Sequence, residues 1–150
     1  MELTGLTTKH LGRPFFSLQE VDSTNTFLKD RAWELPHGAA VVAEHQTAGK
    51  GRRGRSWQDQ PGETLALSVL LKEACQDIAL LPLQVGLAAC EAIRALYGAP
   101  AAIKWPNDLI LGGKKLSGIL CESCYQEQTW AAVAGIGINL NQEQESFDQA

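Results

Sequence analysis

The sequence has no long apolar run, no excess of positive charge and no repeated or low-complexity tract. Each absence narrows function. Without an apolar run of membrane-spanning or signal-peptide length, nothing in the 150 residues directs the chain into a bilayer, so no membrane partner is expected and the cytoplasm is the expected compartment. With 13 Lys plus Arg against 17 Asp plus Glu, net −4, the balance is not that of a domain whose cations spread over a face to hold nucleic acid. One globular domain with a real core fits a composition that is 45% apolar and 20% charged.

The four cysteines, at 75, 90, 121 and 124, do not by themselves make a disulfide framework. Cys121 and Cys124 form a C-x-x-C, but a structural zinc site needs a second ligand pair, and Cys75, Cys90, His10, His37 and His45 are scattered. Packed thiols are the expectation for both, and no metal ligand set is assigned. A phosphate-binding P-loop is also missing, because "GKGRRGRSW" has neither the Lys-Ser/Thr ending nor a helix after it.

What is present is a local basic island. "AEHQTAGKGRRGRSW", residues 43 to 57, places Lys50, Arg52, Arg53 and Arg55 among Gly49, Gly51 and Gly54. Without those four cations the balance would be 9 against 17, so the field is focused on one small site. A solvated charged loop would not need the alternating glycines. They let the backbone approach a ligand while the guanidinium groups offer paired donors to phosphate or carboxylate, and ligand-ordered closure is the expectation.

Periodicity supplies the scaffold. "FFSLQEV" reads as a strand; "DSTN" offers N-cap candidates before a helix over 24–35 with a stripe of Phe27, Leu28, Arg31, Ala32 and Leu35, ended by Pro36 and Gly38. "AAVVAE" leads into the basic loop, and "TLALSVLL" alternates with Leu65, Leu67, Val69 and Leu71 on one face. A central core helix is expected from Leu81, with Val85, Ala88, Ala89, Ala92, Ile93 and Leu96 at helical spacing and Gly98 as its stop. "AAIKW", a "PND" bend, "LIL", a Gly-Gly turn and "KLSGILCES" resemble a hairpin, and "TWAAVAGIGINL" is strand-like. The expected fold class is α+β, a mixed, largely antiparallel sheet flanked by helices.

"DSTN", "AEHQTAGKGRRGRSW", "IKWPNDL", "KKLSGIL" and "GIGIN" stand in the order, and at about the spacing, of the catalytic domain of biotin protein ligases, which the chain resembles over residues 22 to 139. The resemblance implies a fold like the biotin synthetases and class II aminoacyl-tRNA synthetases. It implies ATP and biotin as substrates, with magnesium accompanying ATP on unassigned ligands. Biotinyl-5′-adenylate forms first, and a lysine of a biotin carboxyl carrier domain then takes the biotinyl group.

Residue roles follow from the same likeness. Ser23, Thr24, Asn25 and Gln46 match the side that receives the ureido ring, although "STN" alone would be a plain helix cap. Lys50, Gly51 and Arg52 would lie over biotin and the acyl-phosphate; the family often has arginine where this chain has Lys50, which keeps charge but not bidentate geometry. Arg55 and Trp57 would face the nucleotide, Lys104 and Asn107 the ATP phosphates, and Asn139 the nucleotide side. Lys115 is the expected catalytic lysine together with Arg52, stabilising charge that develops in both steps. Lys114 is expected to be solvated, and Asp108 is left without an assigned role.

Two departures shape the expected domain organisation, 1–150 as an N-terminal portion of a biotin/lipoate ligase-type catalytic domain. The stretch before "DSTN" is too short for the winged helix-turn-helix of the repressor branch, so no DNA operator binding is expected. The chain also stops soon after "GIGIN", where the family continues into further elements and an SH3-like barrel. An exposed sheet edge would then favour a homo-oligomer. The alternatives are a lipoate or octanoate ligase or transferase of the same superfamily, and a non-catalytic module that holds biotin or its adenylate; the arginine-rich loop favours biotin.

Overall fold

The computed structural model describes residues 4–72 and 78–141. Along the chain run β1 (Phe15–Val21), α1 (Thr24–Asp30), β2 (Ala40–Gln46), β3 (Thr64–Lys72), α2 (Leu81–Tyr97), β4 (Ala102–Lys104), β5 (Asp108–Leu111), β6 (Lys114–Gln126) and β7 (Thr129–Asn139). The seven strands form one sheet in the order β1-β2-β3-β7-β6-β5-β4. Only β1 and β2 pair in parallel; every other neighbour is antiparallel. The parallel pair needs a crossover, and α1 makes it. The mixed, largely antiparallel sheet expected from the sequence is the one that forms.

The two helices cover different parts of the sheet. α1 packs on β2, β3 and β7, where Leu28, Ala32, Val41, Leu70 and Val133 are completely buried. α2 packs on β4 to β7, over Leu109, Ile119 and Ile136. Burying an aliphatic side chain contributes about 1.5–3 kcal/mol, so each face carries its own share of stability.

Two expectations about the helices need correction, and the strand read over "TLALSVLL" forms with its two faces buried unequally. α1 ends at Asp30 rather than Leu35. The Arg31 guanidinium donates to Phe27 O at 3.1 Å and the Arg31 amide turns to Leu28 O, so the next α-helical bond is not made. The stripe survives, because Ala32 and Leu35 still join the same cluster through turns. On β3 the buried face is Thr64, Ala66, Ser68 and Leu70; the leucine face is half-buried, since α1 sits across the small residues and α2 lies mainly over the other strands.

α2 starts with Pro82 in its first turn and ends at Gly98 in the left-handed region, φ 66°, as read. It is not a central core helix. Its buried residues are Leu81, Gly86 and Cys90, while Ala88, Ala92 and Leu96 are exposed. The helix lies on one side of a single sheet, and among the described residues only its inner strip is covered.

Candidate functional site

The floor of the site is β6 and β7, whose register pairs Gly118 with Gly137 and Leu120 with Gly135. Strand alternation sends the two isoleucines of "GIGIN", Ile136 and Ile138, toward α2 and leaves the glycines on the opposite face. Bulk is excluded there by direct contact. A methyl group on Gly135 would collide with the Asn25 amide, one on Gly137 with the Trp57 indole, and one on Gly118 would lie 2.8 Å from the same indole. These glycines are thus closely approached by two side chains of the protein itself.

α1 brings its first residues onto that floor. Ser23 occupies the N-cap position in extended conformation, yet its side chain makes no capping bond. The plain-cap reading of "STN" is therefore wrong for Ser23. Thr24 and Asn25 are buried and join a polar network: Gln46 Oε1 accepts from Thr24 N at 2.9 Å, and Ser68 Oγ lies 2.8 Å from Thr24 Oγ1 and 2.7 Å from Asn25 Oδ1. Gln46 is itself held by its amide, which donates to Asp59 Oδ2 at 2.8 Å.

The basic loop folds as a small hairpin. Lys50 and Ser56 form an antiparallel bridge, and Gly51 N donates to Arg55 O at 2.7 Å. Its two flanks reach opposite walls. Lys50 Nζ donates to Thr26 Oγ1 at 2.8 Å beside α1, and Arg52 Nη1 donates to Asn107 Oδ1 at 3.0 Å on the β4–β5 bend. Asn107 is pinned from behind, its Nδ2 donating to Ile119 O at 3.0 Å.

Lys115 reaches the site because β6 carries an irregularity. Leu109 pairs with Ser117 but Ile110 pairs with Lys115, so Leu116 is an extra residue in the strand. In strict alternation Lys115 would share the α2 side with Ser117 and Ile119. The bulge turns it over: its Cε comes within 3.6 Å of the space a Gly118 Cβ would take, and its Nζ stands 5.7 Å from the Trp57 ring centre. There it pairs with Asp108 Oδ1 at 3.1 Å. Asn139 Nδ2 donates to Lys115 O at 3.2 Å.

All the residues given a role by the family resemblance except Lys104 and Asn139 line one cavity of about 370 Å³. Lys104 is exposed on the edge strand β4, and Asn139 acts on Lys115 from outside the cavity wall. Sequence reasoning gave Asp108 no role and missed Ser68, Glu122 and the β6 bulge. Ser68 was passed over as one position in an alternating strand, and Glu122 as part of a strand centred on two cysteines.

Charge is distributed unevenly in the cavity. Lys50, Arg52, Arg53, Arg55 and Lys115 stand round its mouth with Asp108 the one carboxylate, among the described residues that line it. Further along the same face of β6, beside α1, burial alone would raise the Glu122 carboxyl, but hydrogen bonds from Lys29 and Asn25 outweigh it and hold it below its ordinary value. The same contact holds Lys29 above the usual lysine range. Cys121 packs on the α2 side and Cys124 on the α1 side, so the C-x-x-C does not converge. Cys75 lies outside the described residues. Burial pushes the Cys124 thiol up, as expected of a packed thiol.

A mixed sheet with a glycine floor and a cationic hairpin above it defines an α+β domain built to hold small anionic ligands. Residues 17–139 match the biotin/lipoate A/B protein ligase family, and the chain belongs to that family. It is 41% identical over 126 residues to a bifunctional ligase/repressor of Escherichia coli, covering 82% of this chain and 39% of that protein. It is 38% identical over 137 residues to a biotin–[acetyl-CoA-carboxylase] ligase of Mycobacterium tuberculosis, covering 86% and 50%. A solved biotin protein ligase of Aquifex aeolicus, in complex with biotin and ATP, superimposes with a TM-score of 0.76 at 39% identity, over 91% of this chain and 55% of that one. The chain thus spans about half the length, or less, of these relatives. A bipartite lipoate protein ligase of Thermoplasma acidophilum, 15% identical with a TM-score of 0.62, shares the fold alone.

Proposed function

We propose that this chain carries the activating site of a biotin protein ligase, which joins biotin to AMP and passes the biotinyl group to a carrier lysine. The observation that supports it most is the lining of one cavity by both kinds of group: uncharged polar side chains from Ser23, Thr24, Asn25 and Gln46, and the clustered cations of the basic loop with Lys115. Biotin has the matching shape, a neutral ureido head and a carboxylate tail. The Aquifex relative was solved with both biotin and ATP.

In the first step a biotin carboxylate oxygen attacks the α-phosphorus of ATP in line and pyrophosphate leaves. Two anions must meet, so their repulsion has to be cancelled first. Lys115 and Arg52 supply that charge, Lys50 and Gly51 cover the acyl end, and Arg55 with Trp57 faces the nucleotide. Asn107 holds Arg52, and Lys104, exposed on the edge strand β4, would serve the ATP phosphates as the family resemblance implies. Magnesium would travel with ATP; among the described residues lining the cavity, Asp108, paired with Lys115, is the carboxylate that would help hold it. In the second step the neutral amine of a carrier-domain lysine attacks the acyl carbon and AMP departs. Asn139, through the Lys115 carbonyl, serves the lysine's position.

Titration calorimetry with biotin, with and without ATP, beside a biotinylation assay on a carrier domain tests this directly. The expected outcome is saturable biotin binding, pyrophosphate release and label on the carrier lysine. Octanoate or lipoate taken in preference would reassign the substrate. Biotin binding without pyrophosphate release would reduce the chain to a binding module.

A further inference from the structure

Along the cavity wall runs a polar network whose hydrogen-bond polarity is set by one carboxylate and one backbone carbonyl. Asn25 Nδ2 faces two pure acceptors, Leu120 O at 3.1 Å and Glu122 Oε2 at 2.8 Å. A flipped amide would set oxygen against oxygen at both, so Oδ1 must face Ser68, and Ser68 must donate its one proton to it. Lys29 Nζ, 2.7 Å from Glu122 Oε1, keeps that carboxylate an ionised acceptor.

The consequence runs forward to the cavity wall. Thr24 Oγ1 stands 2.8 Å from Ser68 Oγ and 3.1 Å from Gln46 Oε1, and Gln46 Oε1 is held in orientation by the Thr24 amide. Three oxygen–oxygen contacts therefore share two hydroxyl protons. The network is one proton short, and the shortage falls on Thr24 and Gln46, which line the cavity.

We propose that Glu122 and Ser68 are positioning residues that fix the hydrogen-bond polarity of the deep end of the cavity, so that Thr24 and Gln46 receive a ligand head group bringing its own N–H donors. This rests on the ligase reading above and names its head-group chemistry: an N–H-bearing ring is selected over a hydrocarbon or dithiolane end. Neither Glu122 nor Ser68 needs to touch the ligand. Replacing the Glu122 acceptor removes the shorter of the two contacts that hold the Asn25 amide and leaves Leu120 O at 3.1 Å alone against its turning; where the amide turns, Ser68 is released from donating and the shortage is filled internally.

The test compares biotin with octanoic acid, which shares the carboxylate and lacks the donors, by calorimetry on the full chain. Glu122→Leu and Ser68→Ala should each weaken biotin about 10- to 100-fold while octanoate changes less than about twofold. Glu122→Gln, which can keep an oxygen toward Asn25, should stay within about threefold of wild type for both. Equal losses for the two acids, or an unchanged biotin affinity in natively melting variants, overturns the proposal. A wild-type chain that prefers octanoate overturns it together with the biotin reading. If the wild type binds neither acid, only the ligase reading fails, and the Asn25 side-chain amide resonances of the ligand-free chain decide the network. They should exchange slowly in wild type and Glu122→Gln and lose that protection in Glu122→Leu; protection kept in Glu122→Leu overturns it. Should Glu122→Leu fail to melt cooperatively, Ser68→Ala carries the comparison of acids.

Discussion

The two faces of β6 and β7 differ more than any two elements of the molecule. On the α2 side Ile119 and Ile136 are buried and Ile138 packs beside them; one residue along, on the other side, Gly118, Gly135 and Gly137 carry no side chain and receive Trp57 and Asn25 instead. The same strands thus serve as core on one side and as the floor of a cavity on the other. What differs is bulk, not polarity. The lesson is that stability and ligand handling are assigned to alternate residues, so substitutions on the two faces should be separable.

The strongest way to break that separation is Lys115→Ala, since the bulge alone gives Lys115 to the cavity side. Removing a donor aimed at developing charge costs about 10²- to 10³-fold in rate. Pyrophosphate release should fall by that factor with the melting temperature unchanged. A shifted melt would mean that the Asp108 ion pair is structural.

Next come neighbours on opposite faces. Ile138→Ala removes packing on the α2 side and should lower stability by about 2 kcal/mol with biotin affinity held, since Ile138 does not line the cavity. Gly137→Ala puts a methyl where the Trp57 indole lies. Overpacking of this kind costs about 1–3 kcal/mol, and swinging the indole out relieves it, so the loss should be read in Trp fluorescence and weaker biotin binding rather than in the melt. If both variants lose stability alike, the faces are not independent.

A smaller effect concerns the ion pair between α1 and β6 on the cavity side of the sheet. Glu122, held below its ordinary pKa, contributes stability above pH 4.5 that is lost as pH falls through its folded value; Lys29, held above 10.5, contributes below that pH and loses it as pH rises through its own. Lys29→Met should therefore lower chemical-denaturation stability at neutral pH and converge with wild type in acid. A constant difference from pH 3 to 8 would show that packing, not charge, is lost.

The alternation that separates the faces was legible in the sequence, and the features that complete the site were not. "GIGIN" announces small and large residues on alternate positions, and the clustered cations between glycines announce an anion. The bulge at Leu116 has no glycine or proline to mark it, because it is fixed by how β5 pairs with β6. Ser68 and Glu122 look like ordinary strand residues until Asn25, from a helix 43 and 97 positions away, is set between them. Helix extent failed for a local reason, the Arg31 side chain taking a carbonyl its own amide would have used.

The far end of the same two strands sharpens the comparison, because the residues there do not line the cavity. The β6–β7 hairpin closes on Glu127 and Gln128, with φ of 46° and 66°, while Gln126 pairs with Thr129. Two residues with positive φ match the tight hairpin turn that Asn-Gly serves best, and nothing in "QEQT" signals it. Each left-handed non-glycine residue costs about 1–2 kcal/mol, whereas glycine returns some of that gain through its freer unfolded state. The double substitution Glu127→Asn with Gln128→Gly should therefore stabilise by about 0.5–1 kcal/mol, a rise of about 2–4 °C at most in Tm. Biotin affinity should not change, since neither residue lines the cavity. A lower Tm would show that the exposed Tyr125–Trp130 ring pair beside the turn, 4.5 Å between centres, depends on the native turn for its geometry.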